Sequence, residues 1–408
     1  MELRMKALID RPWIFAASVA LLSLGAAEAQ AQEAKLVSKK RKGNCENPLW
    51  SRDGKGLAYE RVFYEERKIE VNLIRDVQGS GKEERIKPIL ESRAGASSLV
   101  NAFKGKKKEK VAPGDICREF AWGPKDSAAT FVYSCNVEGS SFQLFMTEGE
   151  QLTRGKGAAG QPALTQAGWS LAYAASNEGR EGLFVIHDLL DEIRPVRLLP
   201  SGPRVDRMPT WSPDGKKLAF VGHDRESADI YVIDNARNPK ESMTRLTKWK
   251  AEEINPSWSP DGTKIAFFSD RAVKKRRKSR RGTAGHGLYV VDLVKGGEPY
   301  LVVKDVVASE QHGPAWTPDS QSVVYVKDKQ RGAVIDPIRA ARAVPNAKEI
   351  KLKTGTVSNK DPQLVAREGR WWMAFSALGT FKGKQRTWRK IYVMSADRLK
   401  VSPEKGDQ

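Results

Sequence analysis

Seven copies of one pattern, a tryptophan or leucine followed by a turn and then an apolar strand, run through almost the whole chain. Many copies are trailed by a third strand of the Ile/Leu-Tyr-Val kind, and some by a short fourth. Together these predict an all-β fold, a β-propeller of four-stranded antiparallel blades, because one such sheet cannot bury both faces alone and its neighbours must stack and close. Seven blades are expected, with six plus an irregular N-terminal region as the alternative.

The clearest copies are "MPTWSPDGKKLAFVG" from Met208, "NPSWSPDGTKIAFFS" from Asn255 and "GPAWTPDSQSVVYVK" from Gly313. More degenerate ones begin at Asn47, Glu119, Gln161 and Asp361. Aligned on Trp50, Trp122, Leu164, Trp211, Trp258, Trp316 and Leu364, they are spaced by 72, 42, 47, 47, 58 and 48 residues. A strand ends at each landmark, and Pro-Asp-Gly or a relative makes the turn. Glycine admits positive φ there, and aspartate caps free backbone N–H groups. Asp53, Asp214, Asp261 and Asp319 are therefore read as turn caps rather than paired catalytic carboxylates. Proline two places before the landmark, at Pro48, Pro162, Pro209, Pro256, Pro314 and Pro362, suits an inner-edge strand, where a missing N–H is tolerated. The recurring Trp residues are read as packing between blades.

Third strands are expected at "EGLFVIHD" (Glu181–Asp188), "ADIYVID" (Ala228–Asp234), "GLYVVDL" (Gly287–Leu293) and "KIYVMSAD" (Lys390–Asp397). Outer strands are expected at Glu150–Thr153, Thr244–Thr247 and Pro299–Val303. The segment "AKLVS" (Ala34–Ser38) is a candidate to join the last sheet and seal the ring. The organisation is then 1–31 signal peptide, 32–43 short basic segment, 44–400 propeller and 401–408 tail.

Arg4, Lys6 and Arg11 precede the apolar run Trp13–Ala27, and small residues around Ala29 and Ala31 offer a cleavage site, which completes an export pattern. That run is short for a membrane span. A periplasmic or secreted protein without a transmembrane anchor after cleavage is expected. The formal net charge is +20. Outside the cytoplasm such a chain meets anionic envelope components and acidic proteins rather than chromosomes. Of three cysteines, Cys117 and Cys135 flank a turn at similar distances from its centre and form the candidate disulfide, which leaves Cys45 free or joined to another chain.

The Trp-Ser-Pro-Asp-Gly copies and the "DIYVID" and "GLYVVDL" strands resemble the TolB-like (WD40-like) propeller repeat. The resemblance implies the propeller and an envelope location. Members with the family name carry an N-terminal α/β domain before the repeats, for which the first repeat at Asn47 is expected to leave no room. Hydrolase relatives need a Gly-x-Ser-x-Gly elbow, which the sequence lacks. A lyase relative holds a metal with several histidines, whereas His187, His223, His286 and His312 are scattered over four repeats without metal-ligand spacing.

Two basic insertions interrupt the repeats. Near 101–110 stand Lys104, Lys106, Lys107, Lys108 and Lys110. Between 271 and 287 stand Lys274, Lys275, Arg276, Arg277, Lys278, Arg280 and Arg281, seven cations in eight residues. No aromatic residue is interleaved with the second run, so the stacking platforms of a nucleic-acid surface are missing. Positions four before the landmarks should face a channel mouth, which makes Arg118, Arg207, His312 and Lys360 candidate rim residues. The expectation is a non-enzymatic scaffold that binds a protein or anionic envelope polymer through its loops, with no cofactor and no nucleic acid. The alternative is a channel-mouth enzyme acting on a carbohydrate or other small substrate, with or without the help of a metal.

Overall fold

The computed structural model describes residues 34–39, 42–66, 68–79, 81–86, 116–123, 131–136, 141–147, 150–166, 169–177, 180–190, 193–200, 204–272, 285–328, 337–381, 384–385 and 388–400. The signal segment, the Lys104–Lys110 run, the Lys274–Arg281 run and the tail lie outside these residues.

Apart from the two-stranded pair Thr380–Phe381 with Lys384–Gln385, the described strands form seven antiparallel groups in chain order, here blades 1 to 7. Blade 4 shows the plan: Val205–Trp211, Leu218–His223, Ala228–Ile233 and Met243–Arg245 pair in sequence order. Inner strands of the other blades are Asn44–Trp50, Ile116–Trp122, Ala159–Leu164, Glu253–Trp258, Ala315–Trp316 and Val357–Arg367. In blade 2 the Glu150–Thr153 stretch makes no full outer strand. Leu152 N–H reaches the Leu144 carbonyl at 2.8 Å, and the Thr153 hydroxyl accepts from Leu144 N–H, so a side chain replaces part of the ladder.

Burial explains the ring. Seven apolar clusters fill the seven seams between neighbouring blades, one per seam. The cluster at blades 7 and 1 joins Trp50, Leu57 and Tyr59 to Ala374, Ile391 and Val393. Each strand alternates its side chains between two faces, and each face meets a different neighbouring blade. The last sheet is completed by the chain's other end: Lys35 pairs opposite Val393 and Leu36 opposite Tyr392. Val37 N–H adds a bond to the Ile391 carbonyl at 2.9 Å.

The repeated turns owe their shape to two side chains. Ser51, Ser212, Ser259 and Thr317 each donate a hydroxyl to the aspartate two residues on. Asp53, Asp214, Asp261 and Asp319 in turn accept backbone N–H groups from Lys55, Lys216, Thr263 and Gln321. Gly54, Gly215 and Gly262 sit at φ of 70°, 71° and 72°, where glycine avoids the Cβ penalty. Cys117 stands opposite Cys135 in the inner pair of blade 2, with Cα atoms 4.0 Å apart and the sulfurs joined. Cys45 is buried with a free thiol, whose pKa burial pushes up.

Candidate functional site

The inner strands surround a central channel of about 630 Å³. Three devices built from the repeat shape its wall.

One is a bulge three residues before the landmark. Asn47, Glu119, Gln161, Met208, Asn255 and Asp361 all adopt left-handed backbone, with φ of 50–53°, and the pairing of the inner strand shifts register there. That conformation costs an L-residue about 1–2 kcal/mol, so something at these positions must offset it. At three of the six the compensation is visible as bonds between blades. Glu119 N–H donates to Glu60 at 2.9 Å, Gln161 N–H to Glu119 at 2.8 Å and Met208 N–H to Gln161 Oε1 at 2.9 Å. Methionine accepts nothing of this kind, and the chain of bonds stops at Met208.

The second device is the landmark tryptophan. Trp122, Trp211, Trp258 and Trp316 donate their indole N–H to the carbonyls of Leu49, Ala163, Thr210 and Ser257, each in the preceding blade, at 3.0–3.1 Å. Trp50 does the same to Gln363 of blade 7. Packing alone would not require tryptophan; this N–H does.

The third consists of two polar struts that link non-adjacent blades across opposite ends of the channel. Arg52, just beyond the landmark of blade 1, donates to the Leu164 carbonyl of blade 3 at 3.1 Å, and burial lowers its pKa to about 10. At the end where the inner strands begin, Gln311 of blade 6 donates to Glu60 of blade 1 at 2.8 Å. Glu60 also accepts from Asn47 Nδ2 at 2.8 Å. Burial outweighs these three donors and pushes the Glu60 pKa up to about 7.

Blade 6 departs from the plan here. Its inner strand is reduced to Ala315–Trp316. The second strand, Ser322–Lys327, pairs instead at Lys327 and Val326 with Val306 and Val307 of the preceding blade. Corresponding residues in blade 5, Glu253 and Ile254, do pair with their own second strand. Residues 309–313 are thus displaced toward the channel.

The candidate rim residues separate into different places. Exposed Arg118 and Arg207 line a groove of about 210 Å³ over blades 2 to 4. Arg118 stacks on Phe142 and pairs with Glu119, while Arg207 pairs with Glu181. His312 lines the central channel, where burial lowers its pKa and keeps the imidazole neutral. Lys360 lies half-buried opposite Ser376 in blade 7. Glu119 and Gln161 stand in the walls of both the groove and the channel, so the two cavities are neighbours. Sequence reasoning passed over Glu60, Gln311 and Arg52. Only Arg52 left a trace, as the residue standing where the regular copies have proline. Among the described residues no group of three or more His, Cys, Asp or Glu could hold a metal ion, and no helix is long and apolar enough to cross a membrane.

This geometry defines a propeller with a polar, strutted channel and a side groove. A family model described as "TolB beta propeller domain" matches residues 147–276. Among solved structures, the chain is similar to an oligogalacturonate lyase from Vibrio parahaemolyticus at 10% identity and TM-score 0.56, over 90% of this chain and 94% of that one. It is also similar to the Cps50 (Swd1) β-propeller domain from Myceliophteria thermophila, at 14% identity and TM-score 0.51, over 89% and 99%. TolB from Acinetobacter baumannii aligns at 18% identity and TM-score 0.47, over 79% of this chain and 66% of that one. No curated protein matches the chain. Likenesses at these identities speak to the fold and leave the role to the residues.

Proposed function

We infer that the chain is an exported, non-enzymatic interaction protein of the bacterial cell envelope. It docks an acidic protein surface or anionic envelope polymer on the face where its inner strands begin. The observation that carries this reading is the groove flanked by exposed Arg118 and Arg207, which shares Glu119 and Gln161 with the channel wall. Their carboxylate partners Glu119 and Glu181 hold the two guanidiniums in place. A net charge of +20 adds long-range attraction for an anionic partner. The runs Lys104–Lys110 and Lys274–Arg281 belong to the same proposal as auxiliary contacts.

The test is capture of partners from envelope extract at several salt concentrations, comparing the intact protein, a form lacking Lys274–Arg281, and the double variant Arg118→Ala/Arg207→Ala. Salt-sensitive capture that is lost in the double variant supports the groove. Capture untouched by every change, or turnover of an added envelope polymer, rejects the reading.

A further inference from the structure

We propose that residues Ser309–Gly313 form a displaceable strap over one mouth of the central channel, with the Gln311–Glu60 bond as its catch. The proposal concerns access to the channel and does not depend on which partner the protein binds.

Four observations carry it. The strap has lost its place in the sheet, because Val306 and Val307 occupy the edge of Ser322–Lys327 where an inner strand would pair. It has no regular secondary structure of its own. Its polar attachments to the rest of the protein are few: Asn255 Nδ2 donates to the Ser309 carbonyl at 2.6 Å, Gln311 donates to Glu60, and His312 interacts with the Asn47 main chain and with Asp361, while the Gln311 and His312 N–H groups turn back to the strap's own Ser309 hydroxyl at 3.4 and 3.3 Å. Finally, the closed position leaves two buried polar atoms of the strap, Gln311 Oε1 and His312 Nε2, without hydrogen-bond partners.

Those unpaired atoms shift the balance. A buried acceptor or donor with no partner penalises the state that buries it, and the penalty vanishes when water reaches it. Closure is therefore opposed by the strap's own side chains and sustained by the catch. Gly313 sets how closely the strap approaches blade 5. A Cβ there would lie 2.5 Å from the Asn255 carbonyl oxygen and 2.7 Å from Ser257 Cβ, so only glycine lets the strap lie this close to blade 5. Opening uncovers the channel wall while the seven seams stay packed, a local rather than a global event.

Accessibility of the channel tests this. Met208, in the channel wall on blade 4, is replaced by cysteine in a Cys45→Ser background, and its reaction with N-ethylmaleimide is timed. Gln311→Ala removes the catch together with one unpaired acceptor; because the lost bond to Glu60 also leaves that carboxyl short of a donor, the rate should still rise about tenfold or more while the melting transition stays cooperative. Gly313→Ala, which wedges the strap away from Asn255, should do the same. Hydrogen exchange on the unaltered protein supplies a readout free of substitutions: the Gln311 and His312 amides should exchange about a hundredfold faster than those of Ser322–Lys327. Labelling that is equally fast with and without the catch, no labelling in any variant, or strap amides as protected as the neighbouring strand would each overturn the proposal.

Discussion

Trp50 of blade 1 donates its indole N–H to the main-chain carbonyl of Gln363 in blade 7, at 3.3 Å and 313 residues away in sequence. The same bond spans a far shorter separation at Trp122, Trp211, Trp258 and Trp316. At Trp50 it closes the ring. Replacing Trp50 with Phe keeps most of the apolar area and removes the donor, so a loss of about 1–2 kcal/mol is expected. Urea unfolding of Trp50→Phe beside Trp122→Phe checks it, and unchanged midpoints for both would show that the N–H is dispensable.

The terminal segment makes the second closure. Lys35 and Leu36 pair with the strand Lys390–Ser395, and Val37 is buried in the seam between blades 7 and 1. Deleting residues 34–38 should expose one edge of that strand and open the seam. A lower melting temperature and faster amide exchange in Lys390–Ser395 than in blade 4 are the expected results. Uniform loss of protection around the ring would contradict a local seal.

Stability should depend on pH through two carboxyls buried at seams. Glu60 and Glu253 are each pushed from 4.5 up to about 7, chiefly by burial. An unfolded chain ionises them from about pH 4.5 upward, while the folded chain keeps their protons until about 7. Their contribution is therefore complete below the lower value and lost as pH rises through the upper one. A shift of this size corresponds to roughly 3 kcal/mol per group. In Glu253→Gln, which retains the acceptor for the Ser269 hydroxyl, the gain over the parent should grow from pH 5 to pH 8. Guanidinium midpoints across that range decide the matter; a constant gap would reject it.

The sulfur bridge gives a fourth expectation. Cys117 and Cys135 are separated by 18 residues, and closing a loop of that size restricts the unfolded chain by about 3 kcal/mol. Reductant should lower stability by that amount. Thiol titration of the unfolded protein should rise from one group, Cys45, to three. Three groups before reduction would exclude the bridge in the purified protein.

The repeat was legible because its causes are local. Ser-Pro-Asp-Gly specifies a turn through bonds within five residues, and the apolar strand after it alternates faces over short distances. The tryptophans announced a contact between blades, although not the indole N–H bond that makes tryptophan necessary. Arg118, Arg207, His312 and Lys360 were picked by their common offset from the landmarks. The structure puts the first two in one groove, His312 in the channel wall and Lys360 in neither. The offset assumed a regular inner strand, and blade 6 does not have one.

The amino-acid sequence by itself determined the blade plan, the turns and the order of the ring, since each depends on neighbours within one repeat. Only the tertiary structure decided what faces what across the channel. Gln311 meets Glu60 from 251 residues away, and Arg52 meets the Leu164 carbonyl from 112. Neither pair has a periodic signature, because closing the ring brings them together at a distance set by seven packed seams. The displaced strap has the same origin: Val306 and Val307 took the sheet edge, and the residues left over turned inward.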